Sequence, residues 1–254
     1  MQPFLEESSI VRRIWSNTDV VLFIFAGASA EFALNKEVDW LYFTGNLPAD
    51  PIGRLFSTVQ YAQQIIFSDQ RNAGVAIDRI NAIHHGIESS RGKSIPPAAY
   101  QDVLYMLMYY SIISYELLER KLTGQEKNEI IFTFRKVGQK MNLKNTPAAY
   151  DEWSTDYEKH LENNLANSVF TKDLFKQYKN HLGWLRYFLL LEIQRLTVPS
   201  PVNRLLRLGS PRVVNFLIPF YKWLRKYRVR KILIRMMMPE KFKNQINRLE
   251  LYSS

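Results

Sequence analysis

Two consecutive helical patterns between residues 50 and 88 constrain the fold more than any other part of the chain. Asp50 and Pro51 mark the start of the first helix, because a carboxylate caps free backbone N–H groups and a proline at the first helical position has none to satisfy. Beyond this start, side chains spaced three and four residues apart form one helix face, made up of Arg54, Thr58, Tyr61, Ala62 and Ile65. The spacing predicts an amphipathic helix whose core-facing stripe carries a cation, and a buried cation needs an anion.

The second pattern begins near Gln70 and carries a histidine on its apolar face. Its stripe advances by four, three, four and three residues and consists of Ala73, Ile77, Ile80, His84 and Ile87. His84 is therefore expected on the buried side, whereas His85 is turned roughly 100° away on a helix of 3.6 residues per turn. A buried imidazole is either a hydrogen-bonded core residue or a metal ligand, and the pattern alone leaves both open.

Four segments of the sequence, taken in order, resemble the MpaB and rubber-oxygenase family, which includes the latex clearing proteins. They are DPIGRLFSTVQYAQQIIF, AIDRINAIHHGIE, SYELLERKLTGQEKNEIIFTFRKVGQKMNL and, more loosely, QRLTVPSPVNRLLRL. The similarity extends from about residue 10 to about residue 210.

The resemblance implies an all-α single domain with a globin-like core and a b-type haem held by a proximal histidine. It also implies a reaction with O₂ at a carbon–carbon double bond of an apolar isoprenoid or lipid substrate. His84 matches the iron ligand, and Arg54 and Thr58 match polar positions near the haem. Arg79 is a further candidate for a haem propionate, since a planar guanidinium suits a carboxylate.

The chain departs from the family at four positions. Ser57 stands where some members carry a distal lysine. Gly27 and Ala28 replace a His-Pro pair, and Leu104 lies near the position of a further histidine. The lysine-capped state that the family can form is therefore not expected in this chain.

Glu31 lies inside a strongly apolar helical pattern over residues 19–35. A carboxylate in such surroundings must be paired, protonated or next to a cavity. Glu31 is therefore a candidate general base at a catalytic site, or the partner of Arg54. Asp39 is the alternative partner for that arginine.

Start and stop signals predict the remaining elements. They indicate an aromatic-rich loop over residues 38–49, a loop over 86–97, a helix from Pro97 to about residue 122, a helix begun by a capping box of Thr123 and Glu126, a helix opened by Thr146 and Pro147, and a helix over 171–196. Trp40, Tyr42 and Phe43 of the first loop could wall an apolar pocket. His160 and His181 have no metal-ligand spacing toward each other.

Composition limits the class of protein. With 254 residues, 46% of them hydrophobic, the chain can bury one substantial core. The absence of cysteine excludes thiolate haem ligation and fits a reducing cytoplasm. The acidic N-terminus does not read as a secretory signal, and the apolar stretch Val20 to Leu34 is too short and too interrupted to cross a bilayer.

The net charge of +10 is concentrated at the C-terminal end. Residues 199–254 hold 13 Lys and Arg against two acidic residues, whereas residues 1–198 are nearly neutral. We therefore divide the chain into a helical catalytic domain, 1–198, and a basic amphipathic extension, 199–254, packed on the same domain or on an anionic membrane surface. Its interleaved apolar residues argue against nucleic acid as a partner. The expected location is the cytoplasm, with peripheral contact to the inner membrane.

A second function class stays open on sequence grounds. The same helices could form a non-enzymatic lipid-binding or peripheral membrane protein without haem. Colour distinguishes the two, because a haem protein absorbs visible light.

Overall fold

The computed structural model describes residues 2–211 and four isolated positions, 219, 244, 247 and 252. Across this part of the chain the regular elements are helices, so the predicted all-α single domain is confirmed. In chain order they are α1 (Ile10–Ser16), α2 (Thr18–Phe32), α3 (Asp39–Phe43), α4 (Asn46–Ala49), α5 (Pro51–Phe67), α6 (Gln70–Arg91), α7 (Pro97–Leu118), α8 (Gly124–Lys140), α9 (Tyr150–Asn163), α10 (Val169–Thr197) and α11 (Ser200–Leu206), with a 3-10 turn, Lys36–Val38, between α2 and α3. The globin-like arrangement of the core stays a prediction.

Helix α2 is the centre of the fold. Thirteen of its fifteen residues are buried, and it packs against α1, α5, α7, α10 and α11. Its apolar sequence predicts this position, because a helix that is hydrophobic on all sides has no face to expose. At Gly27 an added Cβ atom would lie 2.4 Å from the Tyr110 ring of α7, so the glycine permits the close approach of the two helices.

The starts of α5 and α6 follow from local sequence. The Asp50 side chain accepts a hydrogen bond from the Gly53 N–H at 3.3 Å, and Pro51 is the first helical residue, as predicted. Asp69 caps α6 through the Asn72 N–H at 2.9 Å. These two helices pack side by side, which brings the predicted site residues of both helices to one region.

The predicted loop over residues 86–97 is wrong for its first half. Helix α6 continues to Arg91 and ends at Gly92, whose φ of 67° is the left-handed conformation that terminates helices. The Glu88 side chain also accepts a hydrogen bond from the Ile95 N–H at 2.8 Å, which fixes the short turn to α7.

Three other predicted boundaries differ from the structure. Residues 38–49 form the short helices α3 and α4 and not a loop. Helix α9 begins at Tyr150, three residues after Pro147. Helix α10 contains a break at Gly183, where φ is 74° and ψ is 170°, which the sequence pattern did not predict. The capping box of Thr123 and Glu126 at the start of α8 is confirmed.

The first residues of the predicted C-terminal extension pack on the domain. Helix α11 contacts α2 and α9, and its Val202 is fully buried. Arg195 of α10 donates a hydrogen bond to the Leu208 carbonyl at 2.7 Å. Most of the basic segment after residue 211 lies outside the described residues. Within the described residues, no helix has both the length and the hydropathy to cross a membrane.

Candidate functional site

His84 is the centre of the candidate site. The side chain is half-buried on α6, and its ring is tilted against the Tyr100 ring of α7 with the two centroids 4.9 Å apart. Its Nδ1 atom is buried and has no hydrogen-bond partner among the described residues. Buried polar atoms in proteins are nearly always bonded, so this nitrogen lacks the partner that such an atom usually has.

The surroundings keep His84 neutral. Burial lowers the pKa of its imidazole, and the positive charge of Arg54 lowers the pKa further, although Glu88 acts in the opposite direction. A neutral imidazole has a free lone pair, which is the form that binds haem iron. The residues present here therefore fit the proximal ligand that the family resemblance implies.

Arg54 lies near enough to His84 for its charge to act on the imidazole, and Thr58 is one helical turn further along α5. Both are half-buried, and Thr58 Oγ1 donates to the Arg54 carbonyl at 3.3 Å. The deepest face of α5 is a different one, formed by Ile52, Phe56, Val59, Gln63 and Ile66. The predicted core-facing position of Arg54 and Thr58 is therefore wrong, since they lie on the flank between the core and the surface.

Neither predicted partner of Arg54 is its partner in the structure. Glu31 accepts a hydrogen bond from Tyr157, and Asp39 forms an ion pair with Arg91 at 2.6 Å. In the part of the chain that the structure describes, no carboxylate lies within 4 Å of the Arg54 guanidinium. Its charge is therefore available to an anion from outside the protein. Arg79, on the exposed side of α6, stays a prediction as a further propionate contact.

At three positions where the chain departs from the family, the side chains contact other residues of the protein. Ser57 Oγ donates to the Gly53 carbonyl at 3.0 Å. The Tyr110 ring occupies the space next to Gly27, and Leu104 is buried against Gly138. Histidines at positions 27 and 104 would therefore require a different core.

Glu31 lies in a second polar cluster, apart from the predicted haem residues. It is 4% exposed and accepts a 2.6 Å hydrogen bond from the Tyr157 hydroxyl. Burial raises the pKa of its carboxyl group to about 8, although Tyr157 and Tyr110 act to lower it and Asp102 raises it further. Glu31 is therefore mostly protonated at neutral pH, which agrees with the requirement drawn from its apolar sequence surroundings.

Asp102 connects three elements in the same cluster. Its carboxylate accepts hydrogen bonds from Asn35 at 2.6 Å and from Asn164 at 2.8 Å, and it contacts His160 Nδ1 at 2.5 Å. Sequence reasoning missed this group. Asp102 stands four residues before Met106 on the buried stripe of α7, and that spacing was the available signal.

A small apolar groove lies between α2, α5 and α10. Its walls share an aliphatic or aromatic character, with Ser29, Tyr178 and Arg186 as the polar members, and are Val21, Leu22, Phe25, Ala26, Ser29, Ile52, Leu55, Phe56, Val59, Tyr178, Leu182, Arg186, Leu189, Leu190 and Ile193. The groove lies along α5 on a different face from Arg54 and Thr58.

The predicted pocket residues Trp40, Tyr42 and Phe43, which follow α2 in the sequence, are not among the lining residues of this groove. The Arg91 guanidinium lies over the Trp40 ring at 4.1 Å and over the Phe43 ring at 5.4 Å. The Tyr42 hydroxyl hydrogen-bonds to Asp173 at 3.0 Å. Through these contacts α3 packs against the C-terminal end of α6 and the N-terminal part of α10. The three aromatic residues therefore have a packing role and do not form the predicted pocket wall.

The class of protein follows from a family model that covers residues 15–228. The all-α fold and this match together define a helical oxygenase domain. The chain belongs to the family described as ER-bound oxygenase mpaB/B'/Rubber oxygenase, catalytic domain, so the resemblance drawn from the four segments is confirmed. Neither a search of curated proteins nor a search of solved structures gave a match.

Proposed function

We propose that the protein is a haem b-dependent oxygenase that cleaves or oxidises a carbon–carbon double bond of an apolar isoprenoid or lipid substrate with O₂. The observation that carries the proposal is the buried, unpartnered Nδ1 of a neutral His84 in an oxygenase domain. Haem iron, when bound, supplies the activation of O₂.

The chain's own residues have distinct tasks in this proposal. His84 holds the iron through its imidazole. Arg54 pairs with a haem propionate, because a guanidinium matches a carboxylate with two parallel hydrogen bonds. Thr58 shapes the polar flank beside it, and Arg79 is an outer propionate contact.

The groove supports only the apolar character of the ligand, because it lies on a different face of α5 from Arg54 and Thr58. Its walls offer burial to a hydrocarbon chain, and the Tyr178 hydroxyl at its floor already donates to the Ser29 carbonyl at 3.3 Å. A substrate that needs several hydrogen bonds would leave its polar groups unpaired there, which is costly. A hydrocarbon chain bound in the groove along α5 would therefore be shielded from water.

Glu31 remains in the proposal as a group that handles a proton. Because its pKa is about 8, the carboxyl group can donate a proton at neutral pH and can act as a base only at higher pH.

We also propose a cytoplasmic location with peripheral contact to the inner membrane, supported by the 13 basic residues of 199–254.

The visible spectrum tests the haem assignment. Protein expressed with sufficient haem should show a Soret band, and His84→Ala should lose it, because the other three histidines of the chain are hydrogen-bonded elsewhere. His85→Ala is the matched control, since the exposed His85 ring bonds Glu88 at 2.9 Å and points away from the site. It should retain the band.

Equal helicity by circular dichroism shows that each variant is folded. A Soret band that survives in His84→Ala contradicts the assignment of the ligand. Colourless wild-type protein that copurifies with lipid would instead support a lipid-binding function, which the apolar groove favours as the second candidate.

A further inference from the structure

Helix α10 has two halves that meet at the break at Gly183, and their exposed sides differ. In the first half, the buried residues Leu174, Tyr178 and Leu182 face the core. The opposite side of this half carries exposed lysines spaced four and three residues apart, which are Lys172, Lys176 and Lys179. The first half therefore presents cations to solvent.

The second half presents apolar side chains to solvent. Trp184 is 74% exposed, Leu185 51% and Phe188 36%. Helical spacing places Trp184 and Phe188 on the side of α10 opposite Leu190 and Ile193, which line the groove. Single exposed apolar residues are common in proteins, but three large ones within one helical turn mark a contact surface. These three residues and the three lysines together form the outward face of α10.

The exposed charges around this face have one sign. Between residues 169 and 211 the exposed charged residues are all cations, and they are Lys172, Lys176, Lys179, Arg204 and Arg207. The two acidic residues of this stretch are engaged within the protein, since Asp173 accepts a hydrogen bond from Tyr42 and the fully buried Glu192 pairs with Arg195. Exposed cations beside exposed aromatic rings are complementary to an anionic bilayer, whose headgroups attract the cations while the rings lie at the boundary of the acyl chains.

A second copy of the chain fits this face less well. In a symmetric dimer one surface patch meets the same patch of the other copy, so the cations of both copies would face each other. Like charges brought together across an interface are unfavourable, whereas anionic headgroups neutralise them.

We propose that the outward face of α10 docks on an anionic membrane surface, with Trp184, Leu185 and Phe188 inserted at the headgroup boundary and the lysines in contact with the headgroups. This contact lies within the catalytic domain, so it goes beyond the membrane contact proposed for the basic extension 199–254. It does not depend on the haem assignment, because Arg54 and His84 lie on α5 and α6.

Binding of the full chain to vesicles tests the apolar part of this face. The vesicles contain equal parts of phosphatidylcholine and phosphatidylglycerol, and the bound fraction is measured by sedimentation. Trp184→Ser should weaken binding by about tenfold, because it removes one large apolar side chain from the contact. Phe132→Ser is the matched control, since Phe132 on α8 is 52% exposed and lies outside the outward face of α10. It should bind like wild type.

A lysine variant tests the electrostatic part. Lys176→Gln should weaken binding to the same vesicles by about fivefold, the effect of removing one cation near an anionic surface. The difference from wild type should shrink as salt is raised, because ions screen the attraction. Lys140→Gln is the control, since it removes an exposed cation at the end of α8 and should leave binding unchanged.

Tryptophan fluorescence gives a direct readout of insertion. Lipids with brominated acyl chains quench tryptophans that reach the acyl boundary, so wild type should lose part of its emission when it binds. Trp184→Phe keeps an aromatic ring and should still bind, but it should lose much of this quenching. The difference assigns the signal to Trp184 among the five tryptophans of the chain.

Three outcomes overturn the proposal. The first is a wild-type protein that does not bind anionic vesicles. The second is unchanged vesicle binding by Trp184→Ser, which would leave the contact to the basic extension. The third is a wild-type dimer that Trp184→Ser converts to a monomer without loss of vesicle binding, because the face would then be an interface between two copies. None of these results changes the Soret band, so the haem assignment stands or fails separately.

Discussion

Replacing Glu31 by Gln should stabilise the protein at pH 8 by on the order of 4 kcal/mol and change its stability little at pH 4.5 or below. The pKa of the folded-state carboxyl group is about 8, whereas its ordinary value is 4.5. Between these values the unfolded chain releases the proton and the folded chain keeps it. Stability therefore falls as pH rises through this window, by about 1.4 kcal/mol for each pH unit.

Glutamine resembles the protonated form of Glu31. It is neutral, and its side-chain oxygen can still accept the hydrogen bond from Tyr157. The variant therefore lacks the loss of stability that wild type suffers between pH 4.5 and 8. Urea denaturation of both proteins at pH 5, 6, 7 and 8 should give a difference in unfolding free energy that grows with pH.

The design separates Glu31 from other titrating groups. The lowered pKa of His84 makes stability fall as pH drops below the ordinary value of 6.5, but this contribution is present in both proteins and cancels in the difference. Glu7→Gln is the control, because Glu7 is exposed and a surface substitution usually changes stability by less than about 0.5 kcal/mol. A difference between Glu31→Gln and wild type that stays constant from pH 5 to 8 would show that the pKa of Glu31 is not raised.

The local parts of the fold were accessible from the sequence. The start of α5 depends on Asp50 and Pro51, and the start of α8 on Thr123 and Glu126, so each is determined within four residues. The need to protonate or pair Glu31 followed from its apolar neighbours along the chain. Such features do not depend on which helices later pack together.

Tertiary packing decided what the sequence could not. Tyr157 lies 126 residues from its partner Glu31, and His160 lies 58 residues from Asp102. No local sequence pattern predicts contacts between residues so far apart in the chain. The side of α5 that is most buried was also misjudged. Helical spacing identifies a face, but only the packing of α2 and α10 determines that Phe56 is deeper than Arg54.

The break at Gly183 was missed for a related reason. Glycine inside a helical pattern is usually tolerated at a cost of about 1 kcal/mol, so its presence alone does not predict a break. Leu185, two residues after the break, stands on the predicted apolar stripe of α10 and is 51% exposed.

Gly27→Ala and Gly74→Ala should have opposite effects on stability. Both glycines lie inside helices, where alanine is favoured by about 1 kcal/mol. At Gly74 a new Cβ atom meets nothing within 4 Å, so the full gain is expected. At Gly27 it would lie 2.4 Å from the Tyr110 ring and 2.8 Å from Thr197 Oγ1, and overpacking typically costs about 1–3 kcal/mol.

The Tyr110 ring cannot move away without cost, because it is fully buried between α2 and its neighbours. Urea denaturation should therefore place Gly27→Ala below Gly74→Ala by about 1–3 kcal/mol, which is the overpacking cost, because the helical preference for alanine is common to both sites. Equal stabilisation by both substitutions would mean that α2 and α7 are not in close contact at Gly27.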